Sequence, residues 1–206
     1  MEDLRSLKAI QLDALREVAN IGAGHAATAL SQMTNRTIMI SVPEVNVRPL
    51  EEVTDLVGSP DEVVAAVLMQ MMGDLTGRTL ILFPEESARR LCDILFRREP
   101  GTTAEFAPME QSGLKEVGNI LVSAYMNALS DFMGMMLVPS VPSLVIDLSG
   151  AILTTTYLNF GHERDFVFCV ETSFQVGNDG ERLRGHFLLL PDMPSLRAIF
   201  DAIRLP

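Results

Sequence analysis

The stretch that decides the fold is "LREVANI" at residues 15–21, because the chain repeats it as "LKEVGNI" at residues 114–120. Five of the seven positions are identical, and Glu17 and Glu116 are 99 positions apart (116 − 17). A repeat that keeps its register without a gap predicts two copies of one structural unit. Two further matches share the offset: "ALS" at 29–31 and 128–130, and "SVP" at 41–43 and 140–142.

The two copies also match in their later parts, although the register loosens. "GRTLILFP" at 77–84 resembles "GHFLLLP" at 185–191 with one gap. Each of these apolar runs precedes a segment with helical spacing, at 85–96 in the first copy and 194–204 in the second. Each copy therefore reads as a helix, then strands, then a second helix.

Turn signals indicate how the strands are paired. Segments 73–77 and 177–180 ("GNDG") predict hairpins, and "REPG" at 98–101 predicts a linker between the copies. We expect an α+β fold: a single pseudo-two-fold symmetric domain with an antiparallel or mixed sheet and flanking helices. The domain spans residues 1–206, with internal repeat 1 at about 7–98 and internal repeat 2 at about 106–206.

The first helix of each copy is predicted to have a wide apolar face and a narrow polar stripe. The stripe covers about 60° of arc at roughly 100° per residue. Apart from the Glu, its side chains are short, so a partner could approach the helix closely. The polar stripe consists of Asp13, Glu17, Asn20, Gly24 and Ser31 in copy one, and of Ser112, Glu116, Asn119, Ser123 and Ser130 in copy two.

Composition excludes several classes of protein. The hydrophobic fraction of 48% predicts a folded globular chain. The formal net charge of −11 argues against nucleic acid and against anionic membrane surfaces as partners. The apolar stretch 117–138 contains Asn119, Asn127 and Asp131, so membrane insertion is not expected. The acidic start of the chain has no signal-peptide pattern, which favours a cytoplasmic location.

Cysteine and histidine give no sign of a metal site or of nucleophilic catalysis. Cys92 and Cys169 each lie in an apolar segment and are predicted to be reduced core residues. His25, His162 and His186 have no mutual spacing that is typical of a metal site or a catalytic triad. Each is expected to be a loop or packing residue, and we expect no metal or cofactor bound by the chain itself.

"GAGHAA" at residues 22–27 fits a loose dinucleotide fingerprint, GxGxxA. That fingerprint needs a strand before it and a helix after it. Here a helical pattern runs straight through the segment, and copy two has "LVSAYM" at the same place. We therefore expect Gly22 and Gly24 to allow close helix packing rather than nucleotide binding.

The repeated Glu-x-x-Asn is open to two interpretations. Both residues could simply face water, and duplication alone would explain why the pair occurs twice. Asn is, however, a mediocre helix former, so its presence mid-helix in both copies calls for a reason. A carboxylate and an amide three positions apart face the same way and could grip a partner and hold a water together. Asn has no pKa suited to general-base work, so the pair favours chemistry in which orientation suffices, such as phosphoryl transfer.

At these residues the chain resembles the CheC/CheX/FliY family of chemotaxis phosphatases, whose pattern is Asp/Ser-x3-Glu-x2-Asn-x22-Pro. Two occurrences and a length near 200 resemble the two-site members. CheX-like members have one site, and FliY-like members add a switch domain. The matching residues are Asp13, Glu17, Asn20 and Pro43 in copy one, and Ser112, Glu116, Asn119 and Pro142 in copy two.

The resemblance implies an enzyme that dephosphorylates phosphorylated CheY, a response regulator that carries an aspartyl phosphate. In the family's mechanism, Asn20 or Asn119 orients the attacking water beside the phosphate. Glu17 or Glu116 pairs with a lysine of the regulator. The regulator supplies its own Mg²⁺, so no cofactor of this chain is implied.

Other positions carry weaker implications of the same resemblance. Asp13 and Ser112 would assist docking of the regulator, and Pro43 and Pro142 would be structural. The segment "LVID", which ends at Asp147, resembles the part through which the family binds the receptor deamidase CheD, although it also reads as an ordinary buried strand.

Two alternatives remain at this point. The chain could be a non-enzymatic interaction module, like the related middle domain of the flagellar switch protein FliM, which lacks the paired Glu and Asn. It could also be a scaffold whose polar stripes bind helices. The presence of the pair in both copies favours the enzyme.

Overall fold

A computed structural model of the protein describes residues 9–42, 44–49, 52–53, 58–160, 166–176 and 181–202. Pro43, His162 and the "GNDG" segment at 177–180 lie outside these residues. In chain order the elements are α1 (Ala9–Thr34), β1 (Ile38–Ser41), β2 (Val45–Pro49), β3 (Val63–Gly73), β4 (Gly77–Pro84), α2 (Glu85–Leu95), α3 (Pro108–Met133), β5 (Leu137–Pro139), β6 (Ser143–Leu148), α4 (Ser149–Phe160), β7 (Phe166–Val176), β8 (Glu181–Pro191) and α5 (Met193–Ala202). The helices predicted after the two matched strands are confirmed as α2 and α5.

The described strands form one eight-stranded sheet in which every pairing is antiparallel. The order is β1-β7-β8-β4-β3-β5, with β2 also paired to β7 and β6 also paired to β3. The hairpin predicted near residues 73–77 is confirmed as β3–β4. The first two strands of each copy therefore pair with the hairpin of the other copy, and this exchange ties the two halves into one sheet.

Strand register shows the symmetry directly. Val45 of β2 pairs with Val170 of β7, and Leu144 of β6 pairs with Val67 of β3. Leu144 lies 99 positions after Val45 (144 − 45), and Val170 lies 103 positions after Val67 (170 − 67). Equivalent residues of the two copies thus make equivalent cross-strand pairs, which confirms the pseudo-two-fold symmetric α+β fold.

Two hydrophobic clusters lie on opposite faces of the sheet. The larger one packs α1, α2, α3 and α5 onto one face and includes Phe83, Phe174 and Phe187. The smaller one packs Ile152 and Leu153 of α4 onto the other face. Because successive strand residues point to opposite faces, β3, β4, β7 and β8 contribute alternate residues to the two clusters. The motif helices α1 and α3 therefore lie together on one side of the sheet.

The helices α1 and α3 approach each other closely at Gly22. A Cβ atom on Gly22 would lie 2.8 Å from Cδ1 of Tyr125, 3.0 Å from its Cα and 3.1 Å from the carbonyl oxygen of Ala124. The packing role predicted for Gly22 is confirmed. For Gly24 the same expectation is wrong, because a Cβ atom there would meet nothing within 4 Å. Gly24 lies on the exposed side of the helix.

Gly22→Ala is expected to lower the free energy of unfolding by about 1–3 kcal/mol, because backbone atoms of α3 would have to move to admit the methyl group. Gly24→Ala is the matched control and is expected to raise it by about 0.5–1 kcal/mol, since alanine is the better helix former. Urea unfolding followed by circular dichroism measures both. A Gly22→Ala variant as stable as Gly24→Ala would contradict the close contact.

The predicted linker at 98–101 is held by a buried carboxylate. Asp93 of α2 accepts hydrogen bonds from the Gly101 N–H (2.7 Å), the Thr103 N–H (2.9 Å) and the Thr103 hydroxyl (2.7 Å). Burial alone would raise the pKa of Asp93, but the hydrogen bonds from Thr103 and Gly101 outweigh it and lower the pKa below 3.8. Arg98 adds a 2.6 Å ion pair to Glu110 of α3 and lowers the pKa of that carboxyl. The linker is thereby attached to α2 and to the start of α3.

Asp93→Ala is expected to lower the free energy of unfolding at pH 7 by about 1–3 kcal/mol, because buried donors lose their acceptor. The folded pKa of Asp93 is depressed, so its contribution is complete above the unfolded value and is lost as the pH falls through the folded one. Urea unfolding at pH 7 and pH 3 should show a smaller difference between variant and wild type at pH 3. An equal difference at both pH values would argue against an ionised Asp93.

The cysteine prediction is confirmed. Cys92 and Cys169 are both buried free thiols. Burial raises the pKa of each to about 12, so both are protonated at neutral pH. Neither is placed to act as a nucleophile.

The apolar stretch 117–138 runs from α3 into β5, and in it Asn127 and Asp131 are exposed and Asn119 is half-buried. Across the ranges that the structure describes, we find no helix that combines the length and the apolar character needed to cross a bilayer.

Candidate functional site

The first site is a row of polar side chains on the outer face of α1. Asp13, Glu17 and Asn20 are all exposed, whereas Leu15 and Val18 on the opposite face are buried in the larger core cluster. The buried residues fix the rotation of the helix about its axis. Glu17 and Asn20 are three positions apart, about one turn, so their side chains face solvent together.

The second site repeats this arrangement on α3. Ser112 and Glu116 are exposed, and Leu114 and Val117 are buried on the opposite face. Asn119 is half-buried, whereas Asn20 is exposed. The structure thus brings each predicted Asp/Ser-Glu-Asn set together on one helix. It places the two sets on separate, symmetry-related helices that pack against each other.

The far end of each polar stripe is structural rather than a binding surface. The Ser31 hydroxyl accepts a hydrogen bond from the Ile38 N–H (2.9 Å) and donates one to the Ile38 carbonyl (3.2 Å). At the equivalent place the Ser130 hydroxyl donates to the Met135 carbonyl. Both serines hold the chain where it leaves the helix and enters the sheet. These bonds exclude Ser31 and Ser130 from the candidate site and leave the Asp/Ser, Glu and Asn positions as its motif residues.

Both motif carboxylates are available to a partner. In the part of the chain that the structure describes, Glu17 and Glu116 form no ion pair and no side-chain hydrogen bond. Among the same residues, no three His, Cys, Asp or Glu side chains form a group that could hold a metal ion. What each site offers is an accessible anion beside an accessible amide, which can bind and orient but cannot exchange protons through the amide.

The two described histidines are not part of this arrangement. His186 is buried on β8, as expected of a packing residue, and burial lowers its pKa, so it is neutral at pH 7. His25 is exposed on α1, so the expectation that it is a loop or packing residue is wrong. The helix continues through the "GAGHAA" segment, which leaves no strand-to-helix turn for a dinucleotide.

Asp147 lies apart from both sites, on β6. It is exposed, and one of its oxygens accepts a 2.8 Å hydrogen bond from the Leu148 N–H. The interpretation of this segment as a buried strand is wrong, because β6 pairs with β3 on one side and with no other described strand. Asp147 is therefore accessible to another protein.

The sequence did not reveal how apolar the surface near Asp147 is. Apolar residues in a strand-like segment read as core, and only the position at the sheet edge shows that some face solvent. The exposed apolar side chains on β5, β6 and the adjoining segments are Met136, Val138, Val141, Val145 and Leu148.

Comparison with known proteins places the chain in a family. A family model for the CheC-like family matches twice, at residues 10–47 and 109–146. Each match contains one complete Glu–Asn pair. The chain is 33% identical over 205 residues to a Bacillus subtilis protein named CheY-P phosphatase CheC, and the match covers 98% of each chain.

Solved structures agree on the fold. FliY of Thermotoga maritima superposes with a TM-score of 0.80 at 19% identity, covering 96% of this chain and 97% of that one. A chain of the FliG–FliM complex from H. pylori superposes with a TM-score of 0.70 at 14% identity, covering 95% of this chain and all of that one. With its two family-model matches and a relative of 33% identity over nearly its whole length, this chain belongs to the CheC-like family.

Proposed function

We propose that this chain is a phosphatase that accelerates hydrolysis of the aspartyl phosphate of a phosphorylated CheY-type response regulator, in the cytoplasm. The observation that carries the proposal is the Glu–Asn pair on the outer face of two equivalent helices, in a chain 33% identical to a named CheY-P phosphatase. Each helix is one site, so the chain has two.

In each site the Asn amide orients the attacking water. The side chains of Asn20 and Asn119 offer both a donor and an acceptor, which suits a water that must lie in line with the phosphorus–oxygen bond. The amide does not titrate, so it accelerates the reaction by positioning alone. The buried faces of α1 and α3 fix the rotation of each helix, and this sets the direction in which its Asn side chain leaves the backbone.

The Glu side chains dock the regulator. Glu17 and Glu116 pair with a lysine of the regulator's active site, and the contact gains strength when the interface excludes water. Asp13 and Ser112 lie one turn earlier on the same faces and contact the rim of the regulator. Docking brings the amide to the phosphate, so binding and positioning are provided by neighbouring side chains.

The Mg²⁺ that phosphoryl transfer uses belongs to the regulator in this proposal. The described residues of this chain offer no group of ligands for a metal ion. The isolated chain is therefore expected to bind no Mg²⁺ tightly and to leave nitrophenyl phosphate intact. Tight stoichiometric Mg²⁺ binding in calorimetry, or turnover of the small ester, would mean that the active site is complete within this chain.

CheD is the proposed second partner, through the edge strand β6. An exposed carboxylate at Asp147 beside exposed Val145 and Leu148 combines a charged and an apolar contact on a strand that pairs on one side with β3 and on the other with no described strand. Asp147→Lys is the variant that tests the contact, with CheD binding as the readout and phosphatase activity as the control.

A non-enzymatic interaction module is the competing function, because FliM middle domains share the fold. Decay of the radiolabelled regulator phosphate, with this chain present in substoichiometric amount, separates the two. A phosphatase shortens the half-life and turns over more than once. A binding module leaves the half-life unchanged even when the two proteins form a complex.

A further inference from the structure

Each motif helix carries a single basic residue other than histidine, and both lie at the same place. Arg16 is the one Lys or Arg of α1, and Lys115 is the one Lys or Arg of α3. They are 99 positions apart (115 − 16) and directly precede the motif Glu. Because the chain has a net charge of −11, a cation at the equivalent position of both copies is not what a random distribution of surface charges would give.

Helix stabilisation does not account for the two cations. Helical ion pairs form between residues three or four positions apart. Lys115 has only Gln111, Ser112, Gly118 and Asn119 at those positions, so none is acidic. Arg16 has Asp13, but that position is Ser112 in the other copy. The second copy therefore has the cation, Lys115, but not the acidic residue that could pair with it on the same helix.

The cations have no other partner that the structure shows. Within the described residues, neither Arg16 nor Lys115 forms an ion pair or a side-chain hydrogen bond. Arg16 is exposed and Lys115 is half-buried. Each lies four positions before the motif Asn, about one helical turn, so it is a neighbour of that Asn at the flank of the polar stripe.

Resting on the function proposed above, we propose that Arg16 and Lys115 are docking residues that attract the phosphate-bearing, anionic face of the regulator. A phosphorylated partner approaches a chain of the same sign, and the motif Glu adds negative charge at the site. One cation beside each Asn offsets that charge locally. Charges at the edge of an interface act on association rate and salt dependence more than on the chemical step.

The test compares the Arg16→Gln, Lys115→Gln double variant with wild type at low and high salt. KM for the phosphorylated regulator is expected to rise about 3- to 5-fold at low salt, with kcat unchanged. The ratio of variant to wild-type kcat/KM should approach one at high salt, because salt screens exposed charges. The affinity for regulator loaded with beryllofluoride, a phosphate mimic, should fall by the same factor. The variant Arg16→Lys with Lys115→Arg keeps a cation at each position, so its KM and its affinity for the loaded regulator should equal those of wild type.

The control is Arg36→Gln with Arg197→Gln, two exposed arginines outside the sites whose loss changes the net charge equally. An unchanged KM in the double variant, or an equal rise in the control, would overturn the docking role. A fall in kcat alone would overturn it too. These outcomes presuppose that the wild-type chain shortens the half-life of the regulator phosphate; if it does not, the proposed phosphatase function itself fails.

Discussion

Replacing Asn20 and Asn119 together by alanine is expected to reduce the stimulated hydrolysis of regulator phosphate by at least about 100-fold, because the water loses the group that orients it. The fold should survive, since Asn20 is exposed and Asn119 is half-buried on the outer side of α3. Phosphate release under single-turnover conditions measures the loss. Circular dichroism and urea unfolding check the fold.

Gln32→Ala with Asp131→Ala is the matched control for the Asn pair. These residues are exposed, lie on the same two helices, and are twelve positions beyond the two Asn residues (32 − 20 and 131 − 119). The control should keep the wild-type rate. A folded Asn double variant with undiminished phosphate release would exclude both amides from the reaction.

Replacing Glu17 and Glu116 together by alanine is expected to weaken binding of the regulator by roughly 30-fold, about 2 kcal/mol, because a desolvated charge pair loses one partner. The Asn variants should bind more nearly like wild type, since the amides act on the water. Titration with regulator loaded with beryllofluoride separates docking from hydrolysis. Glu86→Ala with Glu105→Ala removes the same charge from two exposed positions outside the sites.

Equal affinities of the Glu and Asn variants for the loaded regulator would leave the Glu residues without a docking role. A loss shared by the Glu86 and Glu105 control would instead indicate a general effect of net charge.

The fold class could be predicted from the sequence because the two copies keep the same spacing from the motif helix to the "SVP" segment that follows it. The apolar residues of "LREVANI" and "LKEVGNI" recur at helical spacing, so most of the buried and exposed positions of α1 and α3 follow from spacing, although the apolar Ile21 is 46% exposed. The pairing of β1 and β2 with β7, and of β5 and β6 with β3, could not be predicted from residue spacing. Strand partners depend on how the chain crosses in space, and periodicity carries no such information.

Within the candidate site, spacing predicted the Glu and Asn positions, and it also placed in the polar stripe two serines that the structure shows to have another role. Ser31 and Ser130 share the helical phase of the motif, yet their hydroxyls bond to backbone at Ile38 and Met135. Those bonds depend on where the following strand lies, which is a tertiary contact. Asp93 was missed for the same reason, since a lone Asp on an amphipathic helix looks solvated until the linker folds over it.

The pH dependence of hydrolysis tests most directly whether the amides orient the water or a titrating group of this chain activates it. The measurement is single-turnover phosphate release from pH 6 to pH 9 at a saturating concentration of this chain. The rate at each pH is corrected for the regulator's own loss of phosphate. A side-chain amide has no pKa in this range, so the stimulated rate is expected to stay flat. A stimulated rate that follows the ionisation of a single group, and keeps that profile in the Asn20→Ala, Asn119→Ala variant, would contradict the orienting role of the two Asn amides.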